Sequence, residues 1–178
     1  MKRIGSLFAL TVLVGACTAT PPTPEPAAAP AAATPHANLA QLMQAIPFPA
    51  SNIIFDAQST DPGAKPEGTD NAVGATQQYA SVYGGWLAVE NAALALSETA
   101  NLITIPGRMC ANGKPVPVDA EDFKMWAANL ATAGQAALKA AQSKDLDQMV
   151  DVAGTVSDAC AMCHDKYRDT PDQPRDRC

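Results

Sequence analysis

Aromatic side chains are scarce in this 178-residue chain, which has 4 Phe, 3 Tyr and 2 Trp. With so few rings, a large buried cofactor would add usefully to a modest core. Strand alternation is missing throughout, which removes β and mixed architectures. Long hydrophobic runs are missing too: Leu7–Val14 is too short to cross a bilayer as a helix. Positive charge is in deficit, with 12 Lys and Arg against 18 Asp and Glu and a net charge of −6. Nucleic acid is therefore excluded as a partner, while an acidic surface suits basic patches on other proteins. No segment pairs an acid with a base as a substrate pocket requires, so the chain is not read as an enzyme.

What is present is concentrated near the C-terminus, in Cys160-Ala161-Met162-Cys163-His164. Two thiols three residues apart, followed at once by an imidazole, suit covalent attachment of a haem. The vinyl groups become thioethers and the histidine ligates the iron. Both sulfurs must reach one porphyrin edge while the next ring swings under the metal, and only a short gap permits both. A thioredoxin-like redox pair would need a βαβ context, and a zinc site a second ligand pair; neither is present. The expected cofactor is one covalent haem c with its iron, bound through Cys160, Cys163 and His164.

The N-terminus indicates a compartment. Lys2 and Arg3 precede the apolar Leu7–Val14 run, an export signal over residues 1–16. It closes in Val14-Gly15-Ala16-Cys17, which resembles the bacterial lipobox and makes Cys17 the expected lipidation site; plain cleavage near Ala16 is the alternative. Loss of Lys2 and Arg3 takes the net charge from −6 to −8. The Ala, Pro and Thr stretch up to residue 36 lacks apolar periodicity, so 17–36 reads as a lipidated, disordered tether. His36 closes it and reads as solvated. The expected location is the periplasm, with a lipid anchor as the one membrane contact.

Four apolar stripes at helical spacing follow, in a domain over 37–168 with a tail over 169–178. The first covers 37–58 through Leu39, Leu42, Met43, Ile46, Ala50, Ile53, Ile54 and Ala57. Pro47 and Pro49 interrupt it without breaking its phase, so one kinked helix is expected, bent beside Met43. The second covers 75–103, with Tyr83, Trp86, Val89, Ala93, Leu96 and Ile103 inward and Gly84-Gly85 weakening its middle. A loop with Arg108, Cys110 and Lys114 leads to a third helix capped by Asp119, carrying Phe123, Trp126, Ala127, Leu130 and Gly134 inward. After a tight turn at 143–145, the fourth carries Leu146, Met149, Val150, Ala153, Val156, Cys160, Cys163, His164 and Tyr167 on one face.

The expected fold is all-α, an antiparallel up-down-up-down four-helix bundle enclosing one covalently bound haem c, because the haem motif continues the core stripe. In that path Met43 and His164 lie at the same end, with depths differing by about 3 Å at 1.5 Å per residue. Met43 is the candidate sixth ligand; a core-filling methionine is the alternative. Cys110 and Cys178 emerge at that end as well. Export favours a disulfide between them, two free thiols being the other reading. Arg108 and Arg168 are then placed to meet haem propionates.

The terminal Cys-Ala-Met-Cys-His-Asp-Lys-Tyr-Arg resembles the class II cytochromes c, the cytochrome c-prime and c556 group, which carry the attachment motif at the far end of the chain. The resemblance covers about 37–168. It implies thioether bonds at Cys160 and Cys163, His164 as proximal ligand and Arg168 as a cation beside the haem. Leu42-Met43 resembles the ligand-bearing stretch of low-spin, c556-like members; c-prime members leave the iron five-coordinate. Relatives often dimerise through their first two helices, so a homodimer stays open. Two functions follow: a His/Met-ligated carrier of single electrons between redox proteins, or a haem protein binding NO or CO at an open or labile site. An envelope lipoprotein with purely structural cysteines is the third reading.

Overall fold

The computed structural model describes residues 33–64, 83–168 and 177–178. The readings made for the signal, for Cys17, for most of the tether, for the start of the second helix and for most of the tail lie outside these residues. The described part is helical, with an isolated bridge between Met109 and Pro115 and no strand among its residues.

Helix α1 (Leu39–Ala45) starts at Asn38, whose side chain accepts from the Gln41 N–H while the Gln41 side chain accepts from the Asn38 N–H. This reciprocal box satisfies two donors that the first turn would otherwise leave open. The helix stops at Ile46 because Pro47 has no N–H for the Met43 carbonyl. Helix α2 (Pro47–Asp56) begins at once, with Pro47 in the first helical position, where a missing donor costs nothing. Hydrogen bonds from Ile46 to Leu42 and from Ala50 to Ile46, each 3.1 Å, run across the break. The two segments are thus arms of one kinked helix.

Helix α3 (Gly85–Ile103) corrects the sequence reading at its start. Gly84 is the N-cap and Gly85 has a φ of 61°, so the glycines lie at the first turn and not in mid-helix. A side chain at Gly85 would also stand 3.0 Å from the Pro62 carbonyl oxygen. Tyr83, expected inside, is 62% exposed. Helix α4 (Glu121–Ser143) is capped by Ala120, one residue beyond the expected Asp119 and without a side-chain bond. Asp122 supplies a first-turn acceptor by taking the Phe123 N–H at 2.9 Å. Lys144, in the left-handed region at φ 55°, ends α4. Helix α5 (Leu146–Tyr167) then begins on Asp145, whose carboxylate accepts from the N–H groups of Asp147 and Gln148.

Successive helices pack on one another from α2 to α5, and α2 also touches α5. Phe123 in the first turn of α4 meets Tyr167 in the last turn of α5, ring centroids 5.4 Å apart, so those two helices run antiparallel. One core cluster is built around Ile54, Leu96, Ala137, Met149 and Val156. A second, around Leu39, Leu42, Ile103, Phe123 and Ala127, lies where the haem motif ends and takes Met43, Cys163 and Tyr167 as partly buried members. Leu146, Val150 and Ile53 are exposed, against expectation. Val150 follows the fully buried Met149, and neighbouring residues on a helix cannot share one face.

Candidate haem site

Cys160, Cys163 and His164 occupy the last two turns of α5, and Arg168 caps its end. Helical spacing of three and four residues sets them on adjoining turns of one face. All four line a cavity of about 510 Å³, and Met43 of α1 lines the same cavity. Its walls are apolar and aromatic: Leu39, Ile103, Phe123, Trp126, Leu130 and Tyr167. Pro47, Phe48 and Phe55 of α2 extend it past Met43. These three were not singled out from the sequence, where the prolines read only as a kink.

The donor set fits a covalent haem. Cys160 and Cys163 are free and half-buried. Burial, then Cys160 and Asp122, push the Cys163 thiol up to about 11, and burial raises Cys160 as well. A redox-active pair is activated by the opposite shift, toward thiolate. Burial holds the His164 imidazole below its ordinary value, reinforced by Arg168 and opposed by Asp165. The ring is neutral at pH 7, the state that ligates iron. Among the described residues no group of three or more His, Cys, Asp and Glu is arranged to hold a free metal ion. When bound, the haem supplies a one-electron iron couple.

Arg108 departs from expectation. Its guanidinium does not face the cavity: it is 4% exposed and donates to the carbonyls of Leu102 and Ala37, the latter at 2.6 Å. Burial lowers its pKa. Arg108 therefore fastens Ala37, two residues before α1, to the end of α3 and is spent on backbone carbonyls, not on propionates.

Cys110 and Cys178 are joined in a disulfide, Cα atoms 4.8 Å apart, and Cys178 lines the cavity. The Cys178 N–H donates to the Tyr167 carbonyl at 2.9 Å, and Asn112 donates to the Arg177 carbonyl. His36 is exposed and outside this site.

The sequence reading left one polar cluster undetected. The Tyr167 hydroxyl donates to Asp122 Oδ1 at 2.8 Å, and Lys166 donates to Oδ2 of the same carboxylate. Asp122 stands in the first turn of α4, and its partners are more than forty residues away in the chain.

Residues 116–168 match the protein family described as Cytochrome C'. No curated protein and no solved structure matches the chain significantly. The matched segment includes the whole Cys160-to-Arg168 run and the helix before it. Members of that family hold a covalent haem c with its iron, which is therefore the cofactor of this chain.

Proposed function

We propose that this class II cytochrome c carries single electrons between redox proteins, through a haem held by Cys160 and Cys163 and ligated by His164 and Met43. One observation carries the reading. Met43, from the first helix, and the Cys160-Cys163-His164 run, from the last, line a single apolar cavity. The contacts that run from α2 to α5 and back to α2 support an antiparallel four-helix bundle around that haem.

In this reading Cys160 and Cys163, both on α5, would hold the haem through two thioether bonds. His164 from α5 and Met43 from α1 would be the residues that ligate the iron. The apolar walls exclude water. The bound haem would supply a one-electron couple between protein partners, and an acidic surface favours partners with basic patches. The chain acts as a carrier and not as an enzyme. Lipidation at Cys17 after an export signal would hold it at the periplasmic face of a bacterial envelope membrane. No helix among the described residues is long and apolar enough to cross a membrane.

Absorption spectra of exported, haem-loaded protein in both oxidation states test the assignment. Ferric wild type is expected to show a methionine-to-iron charge-transfer band that Met43→Ala abolishes. A high-spin wild-type spectrum, with ready carbon monoxide binding, overturns Met43 as a ligand. That outcome favours a second reading, a haem protein binding NO or CO. Its support is that Phe48, Asn52 and Phe55 of α2 line the same cavity as Met43.

A further inference from the structure

Asp122 stands in the first turn of α4 and Lys166 in the last turn of α5, joined by an ion pair. The Lys166 ammonium lies 5.8 Å from the Trp126 ring centroid and 5.2 Å from that of Tyr167. Both rings are cavity wall, as is Phe123, the residue next to Asp122. The Tyr167 hydroxyl bonds the remaining carboxylate oxygen, so the aromatic wall beside Cys163 and His164 is fastened to this charge pair.

An ion pair with side chains 55% and 30% exposed contributes little to stability. Its placement matters more. Ferric haem carries one more positive charge than ferrous haem, so fixed charges near it bias the one-electron couple. We propose that Asp122 and Lys166 set the reduction potential of the haem in opposite senses, the carboxylate favouring the ferric state and the ammonium the ferrous state. Both are positioning residues: neither touches the iron, and each acts through its field and through the ring of Tyr167. The proposal rests on the carrier reading above and assigns two residues that decide which partners can donate and which can accept.

Spectrophotometric redox titration of haem-loaded wild type, Asp122→Asn, Lys166→Gln and the double variant tests this, with a chemical reductant and oxidant exchanging one electron per haem. Asp122→Asn retains an acceptor for the Tyr167 hydroxyl. It is expected to move the potential to more positive values, and Lys166→Gln to more negative ones. The double variant should return close to wild type. Each shift should shrink in 1 M salt, where the screening length is about 3 Å. Tyr167→Phe keeps both charges, so its potential should stay near wild type while its urea midpoint falls. Single variants that shift in the same direction, or not at all, would leave the pair a purely structural clamp and overturn the proposal. Wild type without covalent haem or a reversible couple would instead bring down the carrier reading, which the wild-type titration alone reveals.

Discussion

Gly134 lies so close to α3 that a Cβ on it would stand 2.8 Å from the Ser97 backbone nitrogen and 2.9 Å from the Ala93 carbonyl oxygen. The α3–α4 contact is therefore made backbone to backbone, with the Ser97 hydroxyl donating to the Ala93 carbonyl of its own helix and to the Ala131 carbonyl across the contact. Gly154, in the middle of α5, has nothing within 4 Å of the same position.

The two glycines should respond with opposite signs to one substitution. Gly134→Ala forces two helices apart and is expected to cost about 1–3 kcal/mol, outweighing its gain in helix propensity. Gly154→Ala meets no obstacle and should stabilise by about 0.4–1 kcal/mol. Urea denaturation of the haem-loaded variants measures both. Equal effects would show that α3 and α4 do not approach as closely as described.

Arg108→Met removes three donors from the carbonyls of Leu102 and Ala37 while keeping an apolar stem of similar reach. Left without these partners, the partly buried carbonyls should cost about 1–3 kcal/mol in the same assay. Haem attachment should continue, since Arg108 does not line the cavity. A large loss of haem with unchanged stability would contradict the structural role assigned to it.

The Cys110–Cys178 bond closes a loop across a sequence separation of 68. In the chain-entropy account a loop of this length is worth about 4 kcal/mol. Replacing both cysteines by serine should lower stability by about 2–4 kcal/mol. Covalent haem, proposed at Cys160 and Cys163, should remain, as intact mass and the urea midpoint together would report.

Asp145 gives the expected pH dependence. Its carboxylate is held below the ordinary value of 3.8, first by the Gln148 backbone N–H, then by the Gln148 side chain and the Asp147 N–H, with desolvation opposing. A folded-state pKa below the unfolded one adds stability that is fully present above 3.8 and is lost as pH falls through the lower, folded value. Asp145→Asn keeps a capping oxygen without the charge. It should be less stable than wild type at neutral pH, with the difference closing in acid below 3.8. A pH-independent gap would count against Asp145 as the charged cap.

The legible part of this fold was the part governed by short-range spacing. The placement of Cys160 to His164 on one helix, the bend after Met43 and the turn at Lys144 all follow from neighbours within about one helical turn. Errors arose where periodicity lacks phase information, namely at helix ends and flanks. Leu146 begins α5, Tyr83 precedes Gly85, and Val150 follows buried Met149; each fits a stripe on paper and faces solvent in the structure. The shift of the α4 cap from Asp119 to Ala120 is a similar end effect. Arg108 and Asp122 were misread or missed for another reason. Their partners, Ala37 and Tyr167, are brought to them by tertiary packing alone.

The hairpin around Met109–Pro115 has a mechanical consequence. Its Met109 carbonyl receives the Leu39 N–H, one turn before Met43, and the neighbouring Arg108 grips Ala37. Through Cys110 and Cys178 it also reaches the Tyr167 carbonyl, one turn after His164. The Met43 and His164 walls of the cavity thus hang from one bolt. Lengthening the hairpin by a residue would alter the gap between Met43 and His164, whereas the same insertion at the distant Lys144 corner would leave that gap as it is.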